Sequence, residues 1–229
     1  MAEQNDNLNV ELDPEQMVQQ GVHFGHSPSK LHPEMERYLY GIRNTINIID
    51  LEQTAEKLKQ ALSFIKQLKE EDRTLLVVGT KIQVQDLTEE FAKQGGFPYV
   101  NERWIGGTFT NFDNISERIE YLKELEQKRE EGEFEKYTKK EKADKEEEIE
   151  KLQRKFGGLK SLNGLPDAVL VLHMRKDDLA VREAQKKGVK IIGIADTNVD
   201  PTQADYPIPA NDDAITSVQY ILDKIEEVV

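Results

Sequence analysis

Three short runs, Leu75-Leu76-Val77-Val78, Val169-Leu170-Val171-Leu172 and Ile191-Ile192-Gly193-Ile194, contain no polar side chain. A strand with one face in water alternates apolar and polar residues, so runs like these belong to strands covered on both faces. Such strands, alternating with amphipathic helices, imply an α/β fold with a mainly parallel sheet and helices on each side. A fourth run, Ile46-Asn47-Ile48-Ile49, is less continuous. With Tyr38 to Ile42 it reads as two strands joined by a tight turn at Arg43-Asn44.

The helices between the strands carry recognisable signals. Asp13-Pro14-Glu15 places an N-cap before a proline, and Gly21 ends the short helix that follows. Leu51, Ala55, Leu58, Leu62, Ile65 and Leu68 recur at steps of three and four, which puts them on one stripe of a long helix. Val84, Leu87 and Phe91 face inward on the next, which stops near Gly95-Gly96 before a short strand, Phe97 to Val100. Later, Asp177-Asp178 opens a helix using Leu179, Val181 and Ala184. Val189 to Ala195 follows as the second strand of a βαβ unit. Tyr206-Pro207-Ile208-Pro209 suits only an edge strand, and Asn211-Asp212-Asp213 caps a last helix with Ile215, Val218, Ile221 and Ile225 inward.

The alternation breaks once. Ile115, Ile119, Leu122 and Leu125, then Ile149, Leu152 and Phe156, form a narrow apolar seam in an otherwise charged stretch. That pattern predicts an antiparallel helical hairpin, a coiled-coil arm over residues 111–156 inserted between two parts of one α/β domain, 1–110 and 157–229. Thr138 and Glu141 form a capping box for the second helix, which sets Lys136, Lys139, Lys140 and Lys142 at the polar tip with Gly132, Phe134 and Tyr137. A seam buried only against itself, joined through Gly106-Gly107 and Gly157-Gly158, predicts an arm that moves independently of the body.

The net charge of −13, from 31 basic and 44 acidic residues, argues against nucleic acid as a partner of the whole surface. Twelve of the 31 basic residues, however, lie between Ile115 and Phe156, beside 14 acidic ones. A local cationic surface can therefore meet phosphate on an acidic protein. No stretch approaches the ~18 apolar residues of a membrane span, and Met1 to Val10 is acidic and polar rather than a secretory signal, so the expected location is the cytosol. The absence of Cys excludes disulfides and thiolate chemistry. His23 and His26 sit three apart between glycines, with only His32 near them in sequence, so no metal is expected.

Tyr99 to Asn114 holds the only Trp, with Arg103 beside Trp104 and Gly106-Gly107 behind it. The indole is either a buried corner or a stacking surface for a planar partner; Ile105 and Phe109 favour burial. Gly79-Thr80-Lys81 ends the strand before it, where open α/β sheets gather ligands. It is not a phosphate-binding P-loop, because position 74 is Thr where that loop needs Gly. Asp196 to Pro201 resembles the start of a calcium loop but has Pro201 at the sixth position and Pro207 at the twelfth, which excludes it.

Several stretches together resemble one family: Gly21-Val22-His23-Phe24-Gly25-His26, Arg43-Asn44 with Ile46 to Leu51, Val78 to Lys81, Val100 to Gly107 with Thr110-Asn111, Gly164 to Asp167, Glu183-Ala184, Asp196-Thr197-Asn198 with Asp200-Pro201, and Ile208-Pro209 with Asn211 to Ala214. In this order, from about Met17 to Ile225, they are similar to the second protein of the small ribosomal subunit in its bacterial form. The resemblance implies a three-layer, flavodoxin-like or Rossmann-like α/β domain with a protruding helical hairpin. It implies a structural, non-enzymatic ribosome-bound component in the cytoplasm, without cofactor, metal or small-molecule substrate. Its partners would be small-subunit rRNA and neighbouring ribosomal proteins, including the largest one. His173 departs from the family, which more often has an acidic residue there. Candidate RNA-binding residues are Lys30, Arg43, Asn44, Lys81, Arg103, Trp104, Lys136, Lys139 and Lys140. The competing reading is an α/β enzyme or phosphate-ligand-binding protein with Thr80, Lys81, Asp196 and Asp200 at the strand ends.

Overall fold

The computed structural model describes residues 10–229; the acidic opening segment lies outside them. Five strands, β3 (Leu75–Val78), β4 (Tyr99–Val100), β5 (Ala168–Val171), β6 (Lys190–Ala195) and β7 (Tyr206–Pro209), form one parallel sheet in the order β4-β3-β5-β6-β7. Each apolar run divides its side chains between two cores. Leu76, Val78, Val169, Val171 and Ile191 enter one, while Leu75, Val77, Ala168, Leu170, Ile192 and Ile194 enter the other. This is why the runs contain no polar residue: both faces are covered. The proline-bearing β7 lies at the edge.

On one face pack α1 (Pro14–Gln19), α2 (Leu51–Glu70), α3 (Gln85–Gly95) and α7 (Ile215–Glu226). On the other lie α6 (Asp178–Lys187) and the seam of α4 (Phe112–Glu130) and α5 (Lys139–Phe156). Two residues expected inward face water instead. Leu179 is 42% exposed and Ile215 51% exposed, because α6 buries Ala180 and Val181 from one position further on, and α7 buries Ser217 and Val218 from two positions further on.

Helices α4 and α5 run back along each other. Tyr121 Oη donates to Glu148 at 2.9 Å, and Arg129 pairs with Glu146. Thr138 and Glu141 form the reciprocal cap expected of them. Phe134 is buried rather than part of a polar tip, so the turn between the helices has its own apolar anchor. The seam is also not confined to itself: Ile115, Ile119, Leu122, Leu125, Ile149 and Phe156 continue the buried cluster that holds Val78 and Val171. At the return joint Gly158 is a contact rather than a swivel, since a Cβ there would lie 2.3 Å from the Tyr99 carbonyl oxygen.

A second, two-stranded sheet pairs β1 (Leu39–Arg43) antiparallel with β2 (Ile46–Ile49). The turn is one residue later than expected. Asn44 and Thr45, with φ of 49° and 64°, both take the left-handed conformation that a tight hairpin of this twist demands. Gly21 to His26 pairs along the other side of β2. Ile49 N donates to His23 O at 2.8 Å, Gly25 N to Asn47 O at 2.9 Å and Asn47 N to His26 O at 3.0 Å. Gly25 is required, because a Cβ there would lie 2.4 Å from Thr197 Cγ2. The hairpin is thereby tied to the carboxyl end of the parallel sheet.

Candidate functional site

The loops after β3, β5, β6 and β7 converge at that end around a set of titratable side chains. His26 is carried in by the segment beside β2. Its backbone N–H donates to Thr197 Oγ1 at 2.8 Å. Its ring lies between two carboxylates, Nδ1 at 3.1 Å from Asp196 and Nε2 at 3.3 Å from Asp213. The hydrogen bond to Asp196 raises the His26 pKa despite burial. Lys81 bonds Asp213 and reaches the Asp212 carbonyl at 3.3 Å. Burial works against ionisation of Asp213, but Lys81 holds its carboxyl below the usual range.

Two buried members stay uncharged near neutral pH. Burial and the Lys81 charge lower His173 to about 4. Its Nδ1 accepts the Lys176 N–H at 3.0 Å, so the ring proton sits on Nε2, 3.4 Å from Asp212 Oδ1. Burial and the Asp196 charge push Asp212 up to about 9. His26, Asp196 and Asp213 bring one imidazole nitrogen and two carboxylate oxygens within 4.8 Å of one another, as do His173, Asp212 and Asp213. That donor set can hold a divalent cation. The expectation of no metal rested on histidine spacing alone, and the fold supplies carboxylates from strand ends far along the chain. His23 takes no part; its ring packs 4.0 Å from Phe24, and burial lowers its pKa.

The corner from Tyr99 to Asn114 is built around Glu183. This buried carboxylate accepts the backbone N–H groups of Gly107 at 2.7 Å, Phe109 at 3.0 Å and Thr110 at 3.1 Å, and the Thr110 hydroxyl at 3.2 Å. Trp104 Nε1 completes the set at 3.4 Å. Burial alone would raise the Glu183 pKa, but these donors outweigh it and leave the carboxyl depressed. Trp104 is 6% exposed and meets Phe109 edge-on at 4.9 Å. The indole is therefore a core group, with no open face for a base to stack on.

Compared with known protein families, the chain matches the one described as Ribosomal protein S2 over residues 17–229. The chain belongs to the ribosomal protein S2 family. Its five-stranded parallel sheet between helical layers is the flavodoxin-like arrangement that membership implies, and no described helix is long and apolar enough to cross a membrane.

The candidate RNA-facing residues do not gather in one place. Lys30 ends an exposed 3-10 turn. Arg43 and Asn44, both exposed, border a cavity of about 520 Å³ lined also by His23, Phe24, Tyr40 and Ile46. Arg103 is exposed beside the buried Trp104, and Lys136, Lys139 and Lys140 are exposed at the far end of the helical insertion. Lys81 is turned inward to Asp213. Of the enzyme candidates, Thr80 donates to Asp177 at 2.6 Å, and Asp200 caps a 3-10 turn through Thr202 N at 2.9 Å, away from Lys81. Sequence reasoning gave no role to Glu183 and read Asp212 only as part of a cap for α7. The N-cap of α7 is instead Ala214 without a side-chain bond, Asn211 accepting the Asp213 and Ala214 N–H groups of the preceding turn. The signal for Glu183 was present: an acidic residue between Val181 and Ala184, on the inward stripe of α6.

Proposed function

We propose that this protein is a structural constituent of the small ribosomal subunit, bound to rRNA and to neighbouring ribosomal proteins in the cytoplasm, and that it catalyses no reaction. The observation that carries the reading is the family match across residues 17–229. The geometry at the strand ends supports it. An enzyme needs a poised base or nucleophile and open donors for its substrate. Here Thr80 is bonded to Asp177, Lys81 to Asp213 and His26 to two carboxylates. Contacts to RNA then fall to exposed polar and cationic groups, with Arg43 and Asn44 at the hairpin, Arg103 at the corner, and Lys136, Lys139 and Lys140 on the helical arm. The test is a tagged chain expressed in bacterial cells and followed on a sucrose gradient. Co-migration with small subunits through a high-salt wash is expected. A protein that stays at the top of the gradient while untagged subunits sediment normally would refute the assignment.

A further inference from the structure

The strand order β4-β3-β5-β6-β7 has one reversal. The chain leaves β3 for the β4 edge and returns past β3 to β5. In open α/β sheets the crevice outside the carboxyl ends of the two strands at such a reversal is where ligands bind. Here that crevice is a groove of about 520 Å³ lined by Thr80, Lys81, Ile82, Gln83, His173, Arg175 and Lys176. Its walls are braced against each other: Asp177, after β5, accepts both the backbone N–H and the hydroxyl of Thr80, after β3. His173 holds the Lys176 backbone N–H. Ile82 projects at 84% exposure, and Arg175 and Lys176 are exposed without an ion-pair partner among the described residues.

We propose that this groove is an RNA-binding site in which Arg175 and Lys176 contact the phosphodiester backbone and Ile82 lies against the sugars; it rests on the ribosomal reading above. Two unpaired cations on a chain of net charge −13 select a polyanion. Backbone rather than a free nucleotide follows from which donors remain. A terminal phosphate is cradled by main-chain N–H groups, but Thr80 N is taken by Asp177 and Lys176 N by His173, and Lys81 is neutralised by Asp213. Of the charged groups lining the groove, Arg175 and Lys176 are the ones left unpaired among the described residues, and these suit a strand passing across the opening.

The test compares the full chain with Arg175→Gln/Lys176→Gln in filter binding to purified small-subunit rRNA between 50 and 300 mM KCl. Because each lost phosphate contact lowers the slope of log Kd against log salt by ~0.7 to 0.9, the double variant should lose ~1.4 to 1.8 in slope and weaken at least ~10-fold at 100 mM. Lys57→Gln/Lys59→Gln on α2 should leave both unchanged, and both variants should keep the wild-type melting temperature. A double variant that binds like the wild type would overturn the groove alone. Failure of the wild type to bind rRNA would overturn the ribosomal reading with it. Unchanged rRNA affinity with poorer incorporation into subunits would assign the groove to an acidic protein instead. Micromolar binding of a mononucleotide, lost in the double variant, would refute the backbone assignment.

Discussion

Replacing Glu183 with alanine removes one carboxylate and strands the donors it serves, and the cost can be worked from the contacts. Three backbone N–H groups, one hydroxyl and the Trp104 indole converge on it. Hydrogen bonds to a charged group contribute ~1.5 to 3 kcal/mol each, and a buried donor left unpaired costs ~1 to 3 kcal/mol. The three backbone bonds alone would then sum to roughly 5 to 9 kcal/mol, an upper bound, since water entering the vacated space re-solvates the more exposed Gly107 and Thr110. About 3 to 5 kcal/mol is expected, which in a protein of this size lowers Tm by on the order of 10 °C. Glu183→Gln keeps one acceptor but points an amide at donors, and should fall between the two. Because the folded pKa is depressed, the carboxylate's contribution is complete above the unfolded value and lost as pH falls through the folded one. The gap between wild type and Glu183→Ala should therefore narrow as pH falls below the ordinary glutamate value of 4.5 and through the lower folded one. Circular dichroism follows the melt, and Trp104, the only Trp, reports the corner by its fluorescence. A Glu183→Ala protein melting within about 1 °C of wild type, with unshifted Trp104 emission, would refute the anchoring argument.

Asp212→Asn should stabilise the protein at alkaline pH: with a folded pKa of about 9 against an ordinary 3.8, the wild type loses stability as pH rises toward 9, whereas the amide does not titrate. Melts in chelator-treated buffer should show a larger gain at pH 9 than at pH 6, and an equal or smaller gain at pH 9 contradicts the assignment. Arg103→Ala should weaken rRNA binding by about 1 to 3 kcal/mol through loss of a planar fork, and Lys139→Ala by less, as a point charge at an exposed site; filter binding that reverses the ranking would overturn it. Hydrogen exchange should find Ile119 and Leu152 less protected than Val77 and Val171, with protection falling from Ile115 outward along α4. Equal protection throughout would make the helical insertion part of the body's cooperative unit.

The α/β class, the edge position of β7 and the long stripe of α2 were legible because each leaves a local mark: an unbroken apolar run, a pair of prolines, a three-and-four spacing. The errors were local as well. The hairpin turn slipped by one because Thr45 sits at positive φ, which its β-branched side chain argues against. Leu179 and Ile215 were placed inward because apolar residues at helix starts look like part of the stripe that begins one residue later in α6 and two later in α7. The site was less legible. His26 and Asp196 are 170 positions apart and meet only because β2 and the end of β6 share a segment between them. No spacing rule joins residues that a parallel sheet brings together from opposite halves of a chain.

The distribution of charge over the strand ends explains how so acidic a chain can be read as an RNA partner. Over β6 and β7, Asp196 and Asp212 are buried, Asp212 is uncharged near neutral pH, and Asp196 and Asp213 are answered by His26 and Lys81. Paired or uncharged in this way, they project little field beyond their own network. Over β3 and β5 the reverse holds, and Arg175 and Lys176 stand in water with no ion-pair partner among the described residues. At physiological ionic strength charges more than ~8 Å apart are largely screened, so a phosphate approaching this groove responds to its two cations rather than to the total of −13. The net charge sets how slowly the protein finds RNA at long range. Local pairing decides where it can hold on, and at this end of the sheet the pairing leaves the cations free.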